Sequence, residues 1–154
     1  MVCDCISHSN LDTDAVVEKR PFEYFNEVRT IIEGAKVDLF FVDPYLDAEF
    51  ADRYLPQVSS GVLIRLLARE RVAKLKPAIE FLQQQETGLR IKVRSIERFH
   101  DRYFFIDKQI CYPSGASFKD GAKTTPSTLT QIVDTFPVAL STYEKLWGAA
   151  TVIL

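Results

Sequence analysis

Residues 100–107 of the chain read His-Asp-Arg-Tyr-Phe-Phe-Ile-Asp, and residues 114–117 read Ser-Gly-Ala-Ser. The apolar Tyr-Phe-Phe-Ile run in the first stretch predicts a buried β-strand over 102–107. Because alternate residues of a strand point to the same face, we expect His100 and Arg102 to project together. This pair suits phosphate chemistry, since an imidazole can attack or protonate and a guanidinium can hold two phosphoryl oxygens at once.

The spacing of these residues resembles the motif of the phospholipase D superfamily, His-x-Lys-x4-Asp followed by x6-Gly-Ser/Gly-x-Asn. Here the pattern is His100-x-Arg102-x4-Asp107, followed after six residues by Ser-Gly-x-Ser over 114–117. Three identities depart from the family pattern, because Arg102 stands for Lys, Ser114 for Gly and Ser117 for Asn. Arginine keeps the charge with a different donor geometry, and serine keeps a hydrogen-bonding group on a shorter arm.

The resemblance implies a phosphodiester site with named residues. In the family, one histidine attacks phosphorus to form a phosphohistidine and a second protonates the leaving oxygen. The catalytic residues implied here are His100, Arg102 and Ser117. Ser114 and Gly115 are implied to bind substrate, and Lys119 could reach its oxygens from the loop that follows. Asp43 and Tyr45 follow the first strand and could line the pocket, although a helix-capping turn is the simpler interpretation of this pair. Lys123 lies in the same loop as Lys119, and both lysines are equally compatible with a solvated loop. No metal ligand set is visible, and we expect no cofactor.

A second histidine has to come from another copy of the chain if the family mechanism applies. The chain contains two histidines, and the other one, His8, has no matching motif around it. We therefore expect a C2 homodimer in which the two His100 side chains face each other across the axis. Asp107 is predicted to be a structural residue that fixes a hairpin, since five strand residues span about 17 Å and separate it from His100.

The order of predicted elements favours an α/β fold with a mixed β-sheet flanked by helices on both faces. Helices are expected from Pro21 to Gly34, after an Asp47 cap, over 71–86 and over 135–147. Strands are expected over 37–42, 62–67, 89–93, 102–107 and 109–112, with a further strand possible over 129–132. The hairpin turn is placed at Lys108-Gln109, and residues 1–20 are interpreted as an N-terminal arm before one domain over 21–154, similar to phospholipase D-like domains.

Charge is unevenly distributed along the chain, although the net charge is only −2. Residues 60–102 hold 10 Lys and Arg against 5 Asp and Glu, and they lead directly to His100. This basic segment is compatible with an electropositive approach to a phosphate site. For Arg69, Arg71, Lys74 and Lys76, however, the favoured interpretation is the solvated face of a helix.

The cysteines indicate a reducing compartment. There are three, Cys3, Cys5 and Cys111, and we see no secretory apolar segment, so we expect a cytoplasmic protein. Cys3 and Cys5 have the wrong spacing for a zinc pair. Cys111 is predicted to be a small buried apolar residue. No apolar run is long enough to span a membrane.

Two functions remain open at this level. The first is a metal-independent phosphodiesterase, nuclease-like, which acts as a homodimer on a phosphodiester substrate, with nucleic acid favoured over lipid. The second is an inactive phospholipase D-like domain that binds phosphate groups of nucleic acid, nucleotide or lipid as a regulatory or targeting module. Tyr45, Phe99 and Tyr103 could stack on bases, although their burial in the core is the simpler interpretation.

Overall fold

The computed structural model describes residues 21–113 and 129–154, so the predicted arm over 1–20 lies outside the described residues. These residues form four α-helices and six β-strands, with a short 3-10 helix, Leu55–Gln57, after α2. In this part of the chain, no helix has both the length and the apolar character needed to cross a bilayer. The elements are α1 (Pro21–Glu33), β1 (Asp38–Val42), α2 (Ala48–Tyr54), β2 (Leu63–Ala68), α3 (Val72–Gln85), β3 (Arg90–Ser95), β4 (Tyr103–Ile106), β5 (Ile110–Pro113), α4 (Phe136–Ala149) and β6 (Thr151–Val152).

The strands form one mixed sheet in the order β5-β4-β1-β2-β3-β6. The neighbours β1, β2 and β3 are parallel to one another, and α2 and α3 connect them. Strand β4 runs antiparallel to β1, so that Tyr103 at its start pairs with Val42 at the end of β1. The predicted mixed sheet is therefore confirmed. We call the end of the sheet at which β1–β3 finish and β4 begins the carboxyl end.

Two apolar clusters cover the two faces of the sheet, as the α/β prediction requires. Helices α1, α2 and α3 pack on one face, where Phe41 stacks on Phe104 at 5.3 Å between ring centroids. Helix α4 packs on the other face, where Trp147 meets Phe40 edge-on at 5.4 Å. Cys111 is buried in this second cluster, which confirms its prediction as a core residue, and burial raises the pKa of its thiol to about 12.

Several boundaries differ from those predicted. Strand β4 begins at Tyr103, so residues 100–102 belong to the preceding loop rather than to the strand. The hairpin turn is centred one residue earlier than predicted, because Asp107 and Lys108 both have positive φ angles, as in a type I′ turn. Residues 129–132 contribute a single bridge between Ile132 and Cys111 instead of a strand. The Asp47 cap is confirmed, since its carboxylate accepts from the Phe50 N–H at 3.0 Å.

A buried arginine joins α4 to the sheet. Arg65 on β2 is 4% exposed and donates to Asp38 on β1, with Nε–Oδ1 and Nη2–Oδ2 distances of 3.0 and 2.9 Å. The same guanidinium donates to both carboxylate oxygens of Glu144 on α4, at 2.8 and 2.7 Å. Its centre lies 4.1 Å from the Phe40 ring centroid. These hydrogen bonds lower the pKa of Glu144 below its ordinary value.

Asp107 fastens the β4–β5 turn to the start of β1. Its carboxylate accepts hydrogen bonds from the backbone N–H groups of Lys36, Val37 and Asp38 at 2.7–3.1 Å. Burial acts to raise the pKa of Asp107, but the three backbone donors outweigh it and hold the pKa below its ordinary value. The positive φ of 54° at this position also favours Asp or Asn, which tolerate the left-handed region.

Removal of the Arg65 charge should destabilise the fold strongly. We expect Arg65→Met to lower the free energy of unfolding by about 3–5 kcal/mol, because it leaves the buried Asp38 carboxylate without its partner. The double variant Arg65→Met/Asp38→Leu should recover most of this loss, since neither buried charge remains. Urea denaturation followed by circular dichroism measures both values. A loss below about 1 kcal/mol for the single variant would contradict the role assigned to Arg65.

Asp107 should contribute stability that depends on pH. We expect Asp107→Asn, which keeps the turn conformation, to lower the free energy of unfolding at pH 7 by about 1–2 kcal/mol. Because the folded-state pKa is depressed, this difference is complete above the unfolded pKa of about 3.9 and disappears as the pH falls through the folded value. Urea titrations of both proteins between pH 7 and pH 2 measure it. A constant difference across this range would contradict the prediction.

Candidate functional site

Three loops meet at the carboxyl end of the sheet. They follow β1 (43–47), follow β2 (69–71) and connect β3 to β4 (96–102). The first two loops are tied together, because the Pro44 carbonyl accepts from the backbone N–H groups of Arg69 and Glu70 at 3.1 and 2.8 Å. The third is attached to β2, since the Ile96 N–H donates to the Ala68 carbonyl at 3.3 Å. In open α/β sheets, ligands bind at this end.

His100 is exposed and lies in the third loop. The expectation that His100 and Arg102 project from one face of a strand is wrong, because the strand begins only at Tyr103. The imidazole Nδ1 lies 3.5 Å from Nη1 of Arg69, which also donates to the Phe99 carbonyl at 2.7 Å. A guanidinium has donors and no acceptor, so a hydrogen bond between these two atoms requires Nδ1 to accept.

Arg102 carries a donor that has no acceptor. The side chain is half-buried, and its buried Nε has no hydrogen-bond partner in residues 21–113 or 129–154. The centre of its guanidinium lies 5.5 Å from the ring centroid of Tyr45. A buried charged donor without a partner is costly. An anion that binds beside Tyr45 would supply the missing acceptor.

The first loop holds Tyr45 in place. Asp43 is fully buried, and its carboxylate accepts from the Tyr45 N–H at 2.8 Å, which forms an Asx turn directly after β1. Tyr45 is half-buried, and two cations lie near its ring, with the guanidinium centres of Arg69 and Arg102 at 5.8 and 5.5 Å from its centroid. Asp43 thus shapes the loop that presents Tyr45. We call Tyr45, Arg69, His100 and Arg102 the site cluster.

Arg69 is the member of the cluster that the sequence analysis missed. It was assigned to a solvated helix face, but α3 begins only at Val72, and Arg69 directly follows the buried strand β2. Its Nε donates to Glu70 at 2.6 Å. The cations Arg71 and Lys74 are exposed as expected. Arg69 differs from these two cations because it comes immediately after a buried strand. This position lies at the carboxyl end of the sheet, and it is the signal by which the sequence could have identified Arg69.

Helix α4 anchors the loop that carries His100. The hydroxyl of Tyr143 on α4 donates to the carboxylate of Asp101, the residue next to His100. Burial and this carboxylate raise the pKa of Tyr143 above its ordinary value. Tyr103 at the start of β4 packs against the Tyr143 ring, with 5.3 Å between centroids. Asp101 and Tyr103, the residues on either side of Arg102, are therefore held by the same helix that Arg65 ties to the sheet.

Of the remaining predicted site residues, Asp107 is the one that the structure describes. Asp107 lies at the opposite end of β4, where it binds the backbone before β1. No three His, Cys, Asp or Glu side chains gather as a metal site in the described ranges. The predictions for Ser114, Gly115, Ser117 and Lys119 fall outside the described residues.

Comparison with known proteins places the fold. No protein-family model and no curated protein matches the sequence. Forty-eight chains of solved structures match, and three of them illustrate the similarity. One is TrmBL2, an archaeal chromatin protein with a novel mode of DNA binding (TM-score 0.57, 14% identity, covering 96% of this chain and 62% of that chain). The second is NucT from Helicobacter pylori (TM-score 0.63, 15% identity, covering 86% of this chain and 94% of that chain). The third is Nuc from Salmonella typhimurium, a phospholipase D family member (TM-score 0.60, 15% identity, covering 82% of this chain and 88% of that chain). At such identities the likeness concerns the fold, and this chain has the phospholipase D-like fold.

Proposed function

We propose that the site cluster binds a phosphodiester group of nucleic acid. The observation that carries the proposal is the buried Nε of Arg102, which has no acceptor in the described residues and lies on the loop that also carries the exposed His100. A phosphate oxygen is the strongest acceptor that a guanidinium commonly meets, and arginine can bind two oxygens of one phosphate. The imidazole of His100, on the same loop, is a further hydrogen-bonding group for an anion.

The charge balance of the cluster supports an anionic ligand. Arg69 and Arg102 both lie within 6 Å of the Tyr45 ring centroid. The described ion pair of the cluster joins Arg69 Nε to the carboxylate of Glu70, which is about half exposed. No described ion pair involves Arg102. The two positive charges repel each other, and an anion that binds to both relieves this repulsion.

Nucleic acid is favoured over a lipid headgroup as the source of the phosphate. The basic segment over 60–102 contributes Arg69 and Arg102 to the cluster and further cations to exposed positions. Such a distribution attracts a polyanion over a long range. Among proteins with this fold, TrmBL2 is described as a chromatin protein that binds DNA. Together these observations support a nucleic-acid-binding domain.

Hydrolysis is the second candidate, and the exposure of His100 favours it. In this reaction a His100 nitrogen attacks phosphorus, the P–O bond breaks, and the His100 of a second copy gives its proton to the leaving oxygen. Water then cleaves the P–N bond of the phosphohistidine, and no metal takes part. Hydrolysis ranks second because the reaction needs a second histidine, and residues 21–113 and 129–154 contain His100 alone.

Loss of the Arg102 charge should weaken nucleic-acid binding and reduce its dependence on salt. We expect Arg102→Gln to lower the affinity for a fluorescent 12-nucleotide strand. The slope of log K against log salt should fall by about 0.7, the value of one lost phosphate contact on a single strand. Fluorescence anisotropy between 50 and 300 mM NaCl measures both quantities. Arg102→Lys should recover part of the affinity, since it restores the charge without the fork of donors.

Arg90→Gln is the matched control for this experiment. It removes the same charge from an exposed position at the opposite end of β3 from the cluster. Its slope should equal that of the wild type within error. Equal slopes for Arg102→Gln and the wild type would contradict phosphate binding at the cluster.

The hydrolysis candidate requires both turnover and a dimer. We expect EDTA-treated protein to cleave bis(p-nitrophenyl) phosphate only if its molar mass is that of a dimer, and His100→Ala to abolish that activity. Trapping of a phosphohistidine on His100 would establish the mechanism. If the well-folded protein binds the oligonucleotide without turnover, hydrolysis is contradicted and binding remains as the function.

A further inference from the structure

We propose that Tyr45 stacks on a base next to the bound phosphate, so that the site selects single-stranded over double-stranded nucleic acid. The proposal rests on the proposed function and specifies the form of nucleic acid that the cluster accepts. Stacking on an aromatic side chain requires an unstacked base, which a single strand offers and an intact duplex does not.

The structure distinguishes Tyr45 from the other aromatic residues near the site. Phe99 is buried at 4% exposure and cannot meet a ligand. Tyr103 is occupied by two rings, with centroid distances of 5.9 Å to Phe105 and 5.3 Å to Tyr143. Tyr45 is half-buried and its described ring contacts are with arginines alone. Of these three candidates for stacking, Tyr45 is the one that is partly exposed and has no described aromatic ring packed against it.

The two arginines leave room at the Tyr45 ring. Their guanidinium centres lie 5.8 and 5.5 Å from the ring centroid. A closely stacked guanidinium in the same protein, Arg65 over Phe40, lies at 4.1 Å. Neither arginine therefore covers Tyr45 as closely as Arg65 covers Phe40. When a phosphate draws Arg102 toward itself, a base can occupy the ring face, and guanidinium planes also stack on bases.

The loop presents Tyr45 in a fixed position. Its backbone N–H is bound by the buried Asp43 carboxylate at 2.8 Å. The preceding carbonyl, that of Pro44, accepts from Arg69 and Glu70. Hydrogen bonds thus hold the backbone of Pro44 and Tyr45 in place before a ligand binds. A pre-positioned ring loses little conformational entropy on stacking, which is the condition for a useful contribution to affinity.

Anisotropy with four oligonucleotide probes and two variants tests the proposal. The probes are a 12-nucleotide strand, its duplex, and both with one central abasic site, and the variants are Tyr45→Leu and Tyr45→Phe. We expect wild-type protein to bind the intact strand more tightly than the duplex. Tyr45→Leu should weaken binding to the intact strand by about 5- to 100-fold, the loss that removal of one stacked base produces. Tyr45→Phe should bind like the wild type, because it keeps the ring.

The abasic strand separates stacking from support of the arginines. If Tyr45 stacks on a base, Tyr45→Leu should weaken binding to the intact strand far more than binding to the abasic strand of the same sequence. Equal losses on both strands would overturn the proposal, as would equal affinity of the wild type for strand and duplex. In both cases a lower salt slope for Arg102→Gln would still support phosphate binding. Failure of the wild type to bind any probe would overturn the proposed function as well.

Discussion

The buried guanidinium of Arg65 is the constraint on which the arrangement of this protein depends. It binds the carboxylate of Asp38 on β1 and that of Glu144 on α4, and thereby fixes one helix on an otherwise apolar sheet face. Hydrophobic contact alone gives little directionality, whereas a guanidinium that serves two carboxylates specifies both distance and rotation. Tyr143, which precedes Glu144 on α4, binds Asp101 in the site loop. The position of His100 therefore depends on charges buried in the sheet.

The topology then explains why donors accumulate at one end of the sheet. Strands β1 and β2 are parallel and β4 is antiparallel to β1, so the loops after β1 and β2 and the loop before β4 lie at the same end. Each loop contributes one side chain or more to the cluster, and backbone hydrogen bonds to the Pro44 carbonyl join the first two loops. Arg102 remains with a buried donor that no described acceptor satisfies. This arrangement is costly without a ligand and favourable with an anion.

Much of the fold could be predicted from local patterns, whereas the site could be predicted only in part. The apolar run over 103–106 and the helical spacing of Leu75 and Ile79 identify buried elements, because burial imposes a period that the sequence records. The contact between Arg65 and Glu144 spans 79 residues and has no local signature. Arg69 was grouped with the cations of the helix surface, although it lies two residues before the predicted helix start at 71 and three before the observed start at Val72. Such boundaries depend on tertiary contacts that local propensity does not record.

The most direct measurement of phosphate binding at the cluster is an NMR titration of the 15N-labelled protein with dimethyl phosphate, which carries one phosphodiester charge and no base. The Nε–H resonance of Arg102 is identified by its loss in Arg102→Gln. Binding at the cluster predicts that this resonance shifts and saturates together with the backbone amides of residues 99–102. An Arg102 resonance that does not move, while amides elsewhere on the protein shift, would contradict phosphate binding at the cluster.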